Sequence, residues 1–127
     1  MIPSTRPRVL VVDDDAGVAR GLRRLLHSVA DVTVEQAPAA ALRRLQRGET
    51  FDVVLCDVMM PDMSGPELFE RVMASVPELG PAFVFLTGGV REDVEGPLRA
   101  TGRPCLEKPV SFGAVLEVLE QLTAKVA

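Results

Sequence analysis

The chain has 127 residues and a formal net charge of −4, and 47% of its residues are hydrophobic against 25% charged. This is the length of one ordinary domain with a single core, and the composition is that of a soluble globular protein. The net negative charge disfavours binding to nucleic acid or to anionic membranes. No apolar stretch is long enough to span a bilayer, and residues 1–4 lack the apolar core of a signal peptide, so we expect a cytoplasmic protein.

Short apolar runs alternate with segments of helical periodicity along the whole chain. Strands are predicted at residues 9–12, 32–35, 52–56, 83–86 and 104–107. This alternation is typical of a parallel sheet with helices on both faces. Five such βα units with right-handed crossovers predict an open, doubly wound α/β fold without repeats or linkers.

The helical segments differ in how clearly they are marked. In the first, apolar residues recur on one face and basic residues lie on the other: Val18, Leu22, Leu25, Leu26 and Val29 against Arg20, Arg23, Arg24 and His27. The second is predicted from Pro38 to near Gly48 and the third from Pro66 to Val76. Gly96-Pro97 interrupts the fourth, which leaves room for about two turns. The fifth has Ser111 as its cap and an apolar face that extends to Val126.

The two cysteines are too few for a disulfide framework. Cys56 and Cys105 both lie in apolar, strand-like runs, so we expect both to be small buried hydrophobic residues. With His27 as the only histidine in the sequence, a zinc site is not expected either.

Four of the predicted strands end in residues suited to handling a phosphoryl group. The first ends in Asp13-Asp14-Asp15, the third in Asp57, the fourth in Thr87 and the fifth in Glu107-Lys108-Pro109. Carboxyl ends of parallel strands lie along one edge of a sheet, and ligands bind there at the point where the strand order reverses. In the flavodoxin-like order 2-1-3-4-5 that point lies between the first and third strands.

This arrangement places three carboxylates together, those of Asp13, Asp14 and Asp57. They cannot all stay ionised in a partly dry crevice without a compensating positive charge, and Mg²⁺ is the natural counter-ion because it prefers carboxylates, waters and phosphate oxygens. A carboxylate beside such an ion can attack phosphorus and carry an acyl phosphate. Lys108 would neutralise charge on the transferred group, and the Thr87 hydroxyl would donate a hydrogen bond to it.

Over essentially its whole length, with a core at about residues 7–126, the sequence resembles the receiver domain of two-component response regulators. The resemblance is carried by four motifs in order: Val11-Val12-Asp13-Asp14-Asp15, Asp57 followed by residues 60–65 (MPDMSG), Thr87-Gly88 and Lys108-Pro109. All four in order at the ends of successive strands are hard to obtain by chance. The resemblance implies one flavodoxin-like receiver domain over residues 1–127.

The resemblance also implies a role for each of these residues. Asp57 would accept phosphate from a phosphohistidine on a sensor kinase or phosphotransfer protein. Asp14 would bind Mg²⁺ directly and Asp13 mainly through water, and the main-chain carbonyl of Met59 would supply another ligand. Thr87 and Lys108 would contact the phosphoryl oxygens, and the Thr87 hydroxyl would move on phosphorylation. A cis bond before Pro109 would aim Lys108 at the site.

The sequence departs from the family pattern on the side that commonly carries the signal. Cys105 stands where receivers usually have the Tyr or Phe of an aromatic switch. Because Gly96-Pro97 also weakens the fourth helix, we expect a monomer rather than a dimer through that helix, the fifth strand and the fifth helix. Thr87-Gly88-Gly89 and residues 105–109 (CLEKP) resemble receivers attached to hybrid sensor kinases.

Other interpretations of the same residues remain open. Asp14 or Asp15 alone would cap the first helix, and the three methionines at 59, 60 and 63 would serve loop packing. His27 is expected at the surface rather than in a phosphorelay, and the arginines around it either form a solvated face or dock the histidine donor.

Three competing functions can be weighed. A haloacid-dehalogenase-type phosphatase shares the Asp13-x-Asp15 pattern, but Gly17 stands where Thr or Val is expected and no cap domain is present. A flavodoxin would not place acidic residues at the flavin phosphate. We therefore expect a signalling domain without turnover of an external substrate. The alternative is a receiver-like interaction module that acts without phosphorylation.

Overall fold

The computed structural model of the protein describes residues 6–89 and 91–123. Five parallel strands form one sheet in the order β2-β1-β3-β4-β5. The strands are β1 Arg8–Val12, β2 Asp31–Glu35, β3 Val53–Asp57, β4 Phe83–Thr87 and β5 Cys105–Glu107. The predicted fold class and strand order are confirmed, and the predicted strand ends differ from the observed ones by one residue at most.

Five α-helices cover the two faces of this sheet. They are α1 Ala16–Leu26, α2 Pro38–Gln46, α3 Gly65–Ser75, α4 Glu92–Ala100 and α5 Phe112–Leu122. Alternate residues of β1 point to opposite faces, as the pleat of a strand requires. Val9 and Val11 pack with α1 and α5, while Leu10 and Val12 pack with α2, α3 and α4. The sheet is therefore covered by helices on both faces.

The helix ends follow from local sequence signals. The side chains of Asp15, Ser64 and Ser111 accept hydrogen bonds from amides of the first turns of α1, α3 and α5. Gly48, with φ of 98°, ends the turn after α2. Helices α1 and α3 end before Val29 and Val76, which were predicted to belong to them. The prediction for Val126 lies outside the described residues.

Helix α4 is continuous through Gly96-Pro97, so the predicted interruption was wrong. The helix has nine residues, or about two and a half turns, close to the predicted length. Both residues of the dipeptide are exposed, and the ion pair from Arg99 to Glu95, at 2.8 Å between Nη2 and Oε1, spans it. Only Val94 of this helix is buried. The helix survives its proline but is held to the core by few side chains.

Cys56 is buried as predicted, but Cys105 is exposed, so its predicted burial was wrong. The reason is that β5 is a three-residue edge strand that pairs with β4 alone. The short helix α4 does not close over it, and a groove of about 520 Å³ remains between the two elements. The groove is lined by Glu95, Leu98, Arg99, Arg103 and Cys105. An apolar run in sequence does not guarantee burial at a sheet edge.

A 3₁₀ helix at Pro77–Ala82, before β4, was not predicted from the sequence. It buries Leu79 against the core beneath α3.

Among the residues that the structure describes, no helix has the length and apolar character needed to cross a membrane.

Candidate functional site

Asp57 is the last residue of the central strand β3. All five residues of this strand are buried, and Asp57 itself is only 6% exposed at the carboxyl edge of the sheet. Burial raises the pKa of its carboxyl group; the hydrogen bond from Lys108 opposes the shift, and the negative charges of Asp13 and Asp14 add to it. The site therefore holds its central carboxylate at a cost that a further cation would relieve.

Two more carboxylates come from the end of the neighbouring strand β1. Asp13 is fully buried and Asp14 is exposed, and oxygens of Asp13, Asp14 and Asp57 all lie within 4.8 Å of one another. The amide of Asp15 donates to Asp13 Oδ1 at 2.9 Å, while Asp15 itself caps α1. The capping role left open from sequence belongs to Asp15, and Asp13 and Asp14 remain with Asp57.

Lys108 directly follows the outer strand β5 and supplies a positive charge to the same cluster. Its Nζ lies 2.9 Å from Asp13 Oδ2 and 3.0 Å from Asp57 Oδ1. Burial lowers the pKa of this ammonium, but the hydrogen bonds to Asp13 and Asp57 outweigh that effect and raise it. The cluster has three carboxylates, and the ammonium of Lys108 pairs with two of them, so an excess of negative charge remains. Hard oxygen donors in excess of the local positive charge are the donor set that suits Mg²⁺.

Thr87 ends β4, between the strands that carry Asp57 and Lys108. Its carbonyl accepts a hydrogen bond from the Lys108 amide at 2.8 Å, so the end of β4 and the segment that carries Lys108 are joined at this point. Its hydroxyl accepts from the Gly89 amide at 3.1 Å and thereby belongs to the turn after β4. The Lys108–Pro109 peptide bond is cis, as the resemblance implied.

The loop after Asp57 is fixed at both of its ends. The Val58 amide donates to the Leu86 carbonyl at 3.0 Å, and the Gly65 amide returns to the Val58 carbonyl at 2.9 Å. Met59 is half-buried and packs against the core, so the loop methionines do serve packing. Met59, whose main-chain carbonyl was predicted as a metal ligand, is the next residue after the anchored Val58.

A family model described as the response regulator receiver domain matches residues 9–120. The chain belongs to this family. The virulence sensor protein BvgS of Bordetella pertussis is 33% identical over 131 aligned residues, covering 98% of this chain and 11% of that protein. A protein-glutamate methylesterase/protein-glutamine glutaminase of Bradyrhizobium diazoefficiens is 39% identical over 79 residues, covering 60% of this chain and 22% of that protein. The chain thus spans a small part of the curated relatives that it matches.

Solved receiver structures share the fold over nearly the whole chain. A CheY-like receiver domain protein from Methanospirillum hungatei JF-1 superposes with a TM-score of 0.79 at 25% identity, covering 91% of this chain and 92% of the other. The receiver resemblance seen in the sequence is therefore confirmed, together with its flavodoxin-like fold.

The structure brings most of the predicted site residues of this receiver together, but not all. Asp13, Asp14, Asp57 and Lys108 form one cluster, with Thr87 on the adjoining strand. Cys105 pairs in register with Phe85 and opens to the groove beside α4. His27, the residue that follows the last turn of α1, is exposed, as expected of a surface residue.

Gly65 was named from the sequence only as the last residue of the MPDMSG motif, and no role in the site was predicted for it. A Cβ at this position would lie 2.5 Å from the Asp57 carbonyl oxygen and 3.1 Å from the ring of Phe85. The signal in the sequence was a glycine directly before the Pro66 that opens α3. Nothing local indicated that this glycine packs against the residue at the centre of the site.

Proposed function

We propose that this receiver takes part in a two-component phosphorelay, with Asp57 as the residue that accepts the phosphoryl group. The observation that carries the proposal is the placement of the Asp57 carboxylate between the two acidic residues that follow β1 and the ammonium of Lys108. The donor is a phosphohistidine on a sensor histidine kinase or a histidine phosphotransfer protein. Similarity to the sensor protein BvgS supports this class of donor.

In the proposed reaction, a carboxylate oxygen of Asp57 attacks the phosphorus of the phosphohistidine. An O–P bond forms as the N–P bond breaks, and the bonding electron pair leaves with the imidazole nitrogen. Lys108 Nζ, already 3.0 Å from Asp57 Oδ1, stabilises the negative charge on the transferred group. The Thr87 hydroxyl, which accepts from the Gly89 amide in this structure, turns to donate a hydrogen bond to a phosphoryl oxygen.

The reaction requires a divalent cation, and the residues present fit Mg²⁺. Asp13, Asp14, Asp57 and the Met59 carbonyl would hold the ion, since they offer hard oxygens and an excess of negative charge. When bound, Mg²⁺ neutralises charge on the carboxylates and on the phosphoryl oxygens. The chain itself contributes the rest: Asp57 as nucleophile and Lys108 as a fixed cation.

Phosphorylation acts as a switch of the partner-binding surface. The new charge on Asp57 favours a form in which Thr87 and the loop that follows it are drawn toward the site. Pro109 sets the turn after Lys108, and Cys105 leaves no aromatic ring to follow Thr87. The signal therefore passes through the β4–α4 loop and the lightly anchored helix α4, in a cytoplasmic monomer that turns over no external substrate.

Intact-mass measurement after treatment with acetyl phosphate tests the proposal, with and without Mg²⁺. We expect a phosphoryl adduct that depends on Mg²⁺, that Asp57→Asn lacks, and that the matched control Asp62→Asn retains, because Asp62 is an exposed carboxylate of the same loop. Beryllofluoride, a stable phosphoryl mimic, separates a short-lived adduct from none. If neither the adduct nor the mimic binds, the phosphorelay proposal is overturned in favour of an unphosphorylated interaction module.

A further inference from the structure

We propose that Gly65 is a positioning residue of the metal site. Because it lacks a side chain, the loop from Val58 to Gly65 closes against the carboxyl end of β3 and holds the Met59 carbonyl and the Asp57 carboxylate where both serve one ion. This inference rests on the proposed function and deepens it, since it assigns part of the ion's affinity to a residue that does not touch the ion.

The space around Gly65 does not admit a side chain. A Cβ here would meet the Asp57 carbonyl oxygen at 2.5 Å and two ring carbons of Phe85 at 3.1 Å each. Carbon and oxygen atoms that are not bonded do not approach to 2.5 Å without displacement. The φ angle of Gly65 is not positive. This position therefore requires a residue without a Cβ, and it does not require a special backbone conformation.

The residues packed around Gly65 cannot easily move aside. Phe85 is fully buried in the middle of β4, and its ring packs with those of Phe69 and Phe83. Helix α3, which begins at Gly65, is anchored to the same core by the buried Leu68. A side chain at position 65 would therefore press directly on the Asp57 carbonyl, and part of the displacement would fall on the Asp57–Val58 backbone.

The Asp57–Val58 backbone is directly linked to two of the proposed metal ligands. Asp57 carries both the carbonyl that would be displaced and the carboxylate at the centre of the site. The Val58 carbonyl accepts the Gly65 amide at 2.9 Å, and the next residue is Met59, whose carbonyl is a proposed ligand. One displacement at Gly65 thus reaches two of the four proposed ligands. Changes just outside a ligand shell commonly cost 10- to 100-fold in metal affinity.

The chain offers a matched control at Gly80. A Cβ at Gly80 would clash with the sulfur of Met73, but Met73 is 40% exposed and its side chain is flexible, so it can move aside. Gly80 belongs to the 3₁₀ helix that precedes β4, at the opposite end of that strand from Thr87. Both variants are Gly→Ala with an equally close contact, and only one adjoins the proposed ligands.

The experiment is isothermal titration of the 127-residue protein with Mg²⁺, beside the free energy of unfolding of each variant in urea. We expect Gly65→Ala to raise the Kd for Mg²⁺ on the order of tenfold while the protein remains folded, and Gly80→Ala to leave it unchanged. Equal Mg²⁺ affinity in Gly65→Ala and wild type overturns the inference, even if Gly65→Ala is less stable, because glycine would then serve packing alone.

Two further outcomes are distinguishable. If Gly65→Ala does not fold, Gly65→Ala with Phe85→Leu is compared with Phe85→Leu alone, because the smaller side chain relieves the ring contact and leaves the Asp57 contact. A raised Kd in the double variant supports the inference, and an equal Kd overturns it. Wild-type protein that binds no Mg²⁺ overturns the proposed function together with this inference, whereas normal wild-type binding with an unaffected variant overturns the inference alone.

Discussion

The sheet has an amino edge, where its parallel strands begin, and a carboxyl edge, where they end, and the two are built in opposite ways. At the amino edge, Arg103 donates to the carbonyls of Phe83 and Pro81 at 3.0 and 2.6 Å, and Asp52 Oδ2 accepts the Arg8 amide at 2.8 Å. Arg6 donates to the Ala30 carbonyl at 2.8 Å in the same region. At the carboxyl edge, the ammonium of Lys108 pairs with Asp13 and Asp57, two of the three clustered carboxylates. One edge pairs these polar groups within the fold, and the other retains an excess of negative charge, which is where the Mg²⁺ ion is proposed to bind.

This difference shows where stability and function reside in the molecule. Charges at the amino edge bind backbone amides and carbonyls near the strand starts, so removing one leaves backbone groups without their partner and lowers stability. At the carboxyl edge, the carboxylates repel one another, so removing one should impair the proposed function and relieve the fold, whereas removing the cation of Lys108 should cost both. The predictions that follow test this contrast by deleting charges at each edge in turn.

The largest effect is expected for Lys108→Met at the carboxyl edge. Phosphorylation by acetyl phosphate should slow by about a hundredfold, because a fixed donor to the developing charge is lost. The variant should also be less stable without Mg²⁺, since the fully buried Asp13 loses its cation. Stopped-flow or mass kinetics measure the rate, and Arg103→Met is the control that deletes a cation elsewhere. An unchanged rate would remove Lys108 from the proposed mechanism.

Arg103→Met at the amino edge should lower the free energy of unfolding by about 2 kcal/mol, since two backbone carbonyls lose a charged donor. Phosphorylation of the folded protein should keep its wild-type rate. Urea denaturation followed by circular dichroism gives the stability. A variant as stable as wild type would show that the two carbonyls are equally well served by water.

Mg²⁺ should stabilise the wild-type protein by roughly 1.4 kcal/mol at a concentration ten times its Kd, from mass action on the folded state. Asp14→Asn should lose most of this gain, because it removes an exposed ligand without disturbing the core. Asp62→Asn, in the neighbouring loop, is the control. The measurement is the urea midpoint with and without Mg²⁺, and an equal gain in Asp14→Asn would exclude Asp14 as a ligand.

The smallest effect is a gain in stability for Asp57→Asn at neutral pH in the absence of Mg²⁺. The pKa of Asp57 is raised by burial, so ionisation is less favourable in the folded protein than in the unfolded chain. The destabilisation is absent below the unfolded pKa and is complete once pH has risen through the folded pKa. The gain of the variant over wild type should therefore vanish in acid. A variant less stable than wild type at pH 7 would contradict this sign.

Much of the fold could be predicted because its signals are local. Apolar runs between helical segments identified the five strands, and Asp15, Ser64 and Ser111 stand at observed helix starts. The prediction failed where exposure depends on neighbours that the sequence does not name. Cys105 looks buried in its run, yet β5 lies at the edge, and Gly96-Pro97 looks like a break, yet the Glu95–Arg99 pair spans it.

The grouping of the site residues was also predictable, since strand ends in a parallel sheet must meet at one edge. Asp57 and its partners could be named from the strand ends alone, whereas the contact of Gly65 with the Asp57 carbonyl could not. That contact depends on how closely α3 approaches β3 and β4.

By itself, the sequence determined the elements, their order and the identity of the groups at the carboxyl edge, because these follow from periodicity and from residue chemistry at strand ends. Only the tertiary structure decided which groups touch. It placed one ammonium between Asp13 and Asp57, set Gly65 against the Asp57 carbonyl and closed the amino edge with Arg103. Such contacts join residues far apart in sequence, so their distances are set by packing of the whole core and by no local pattern.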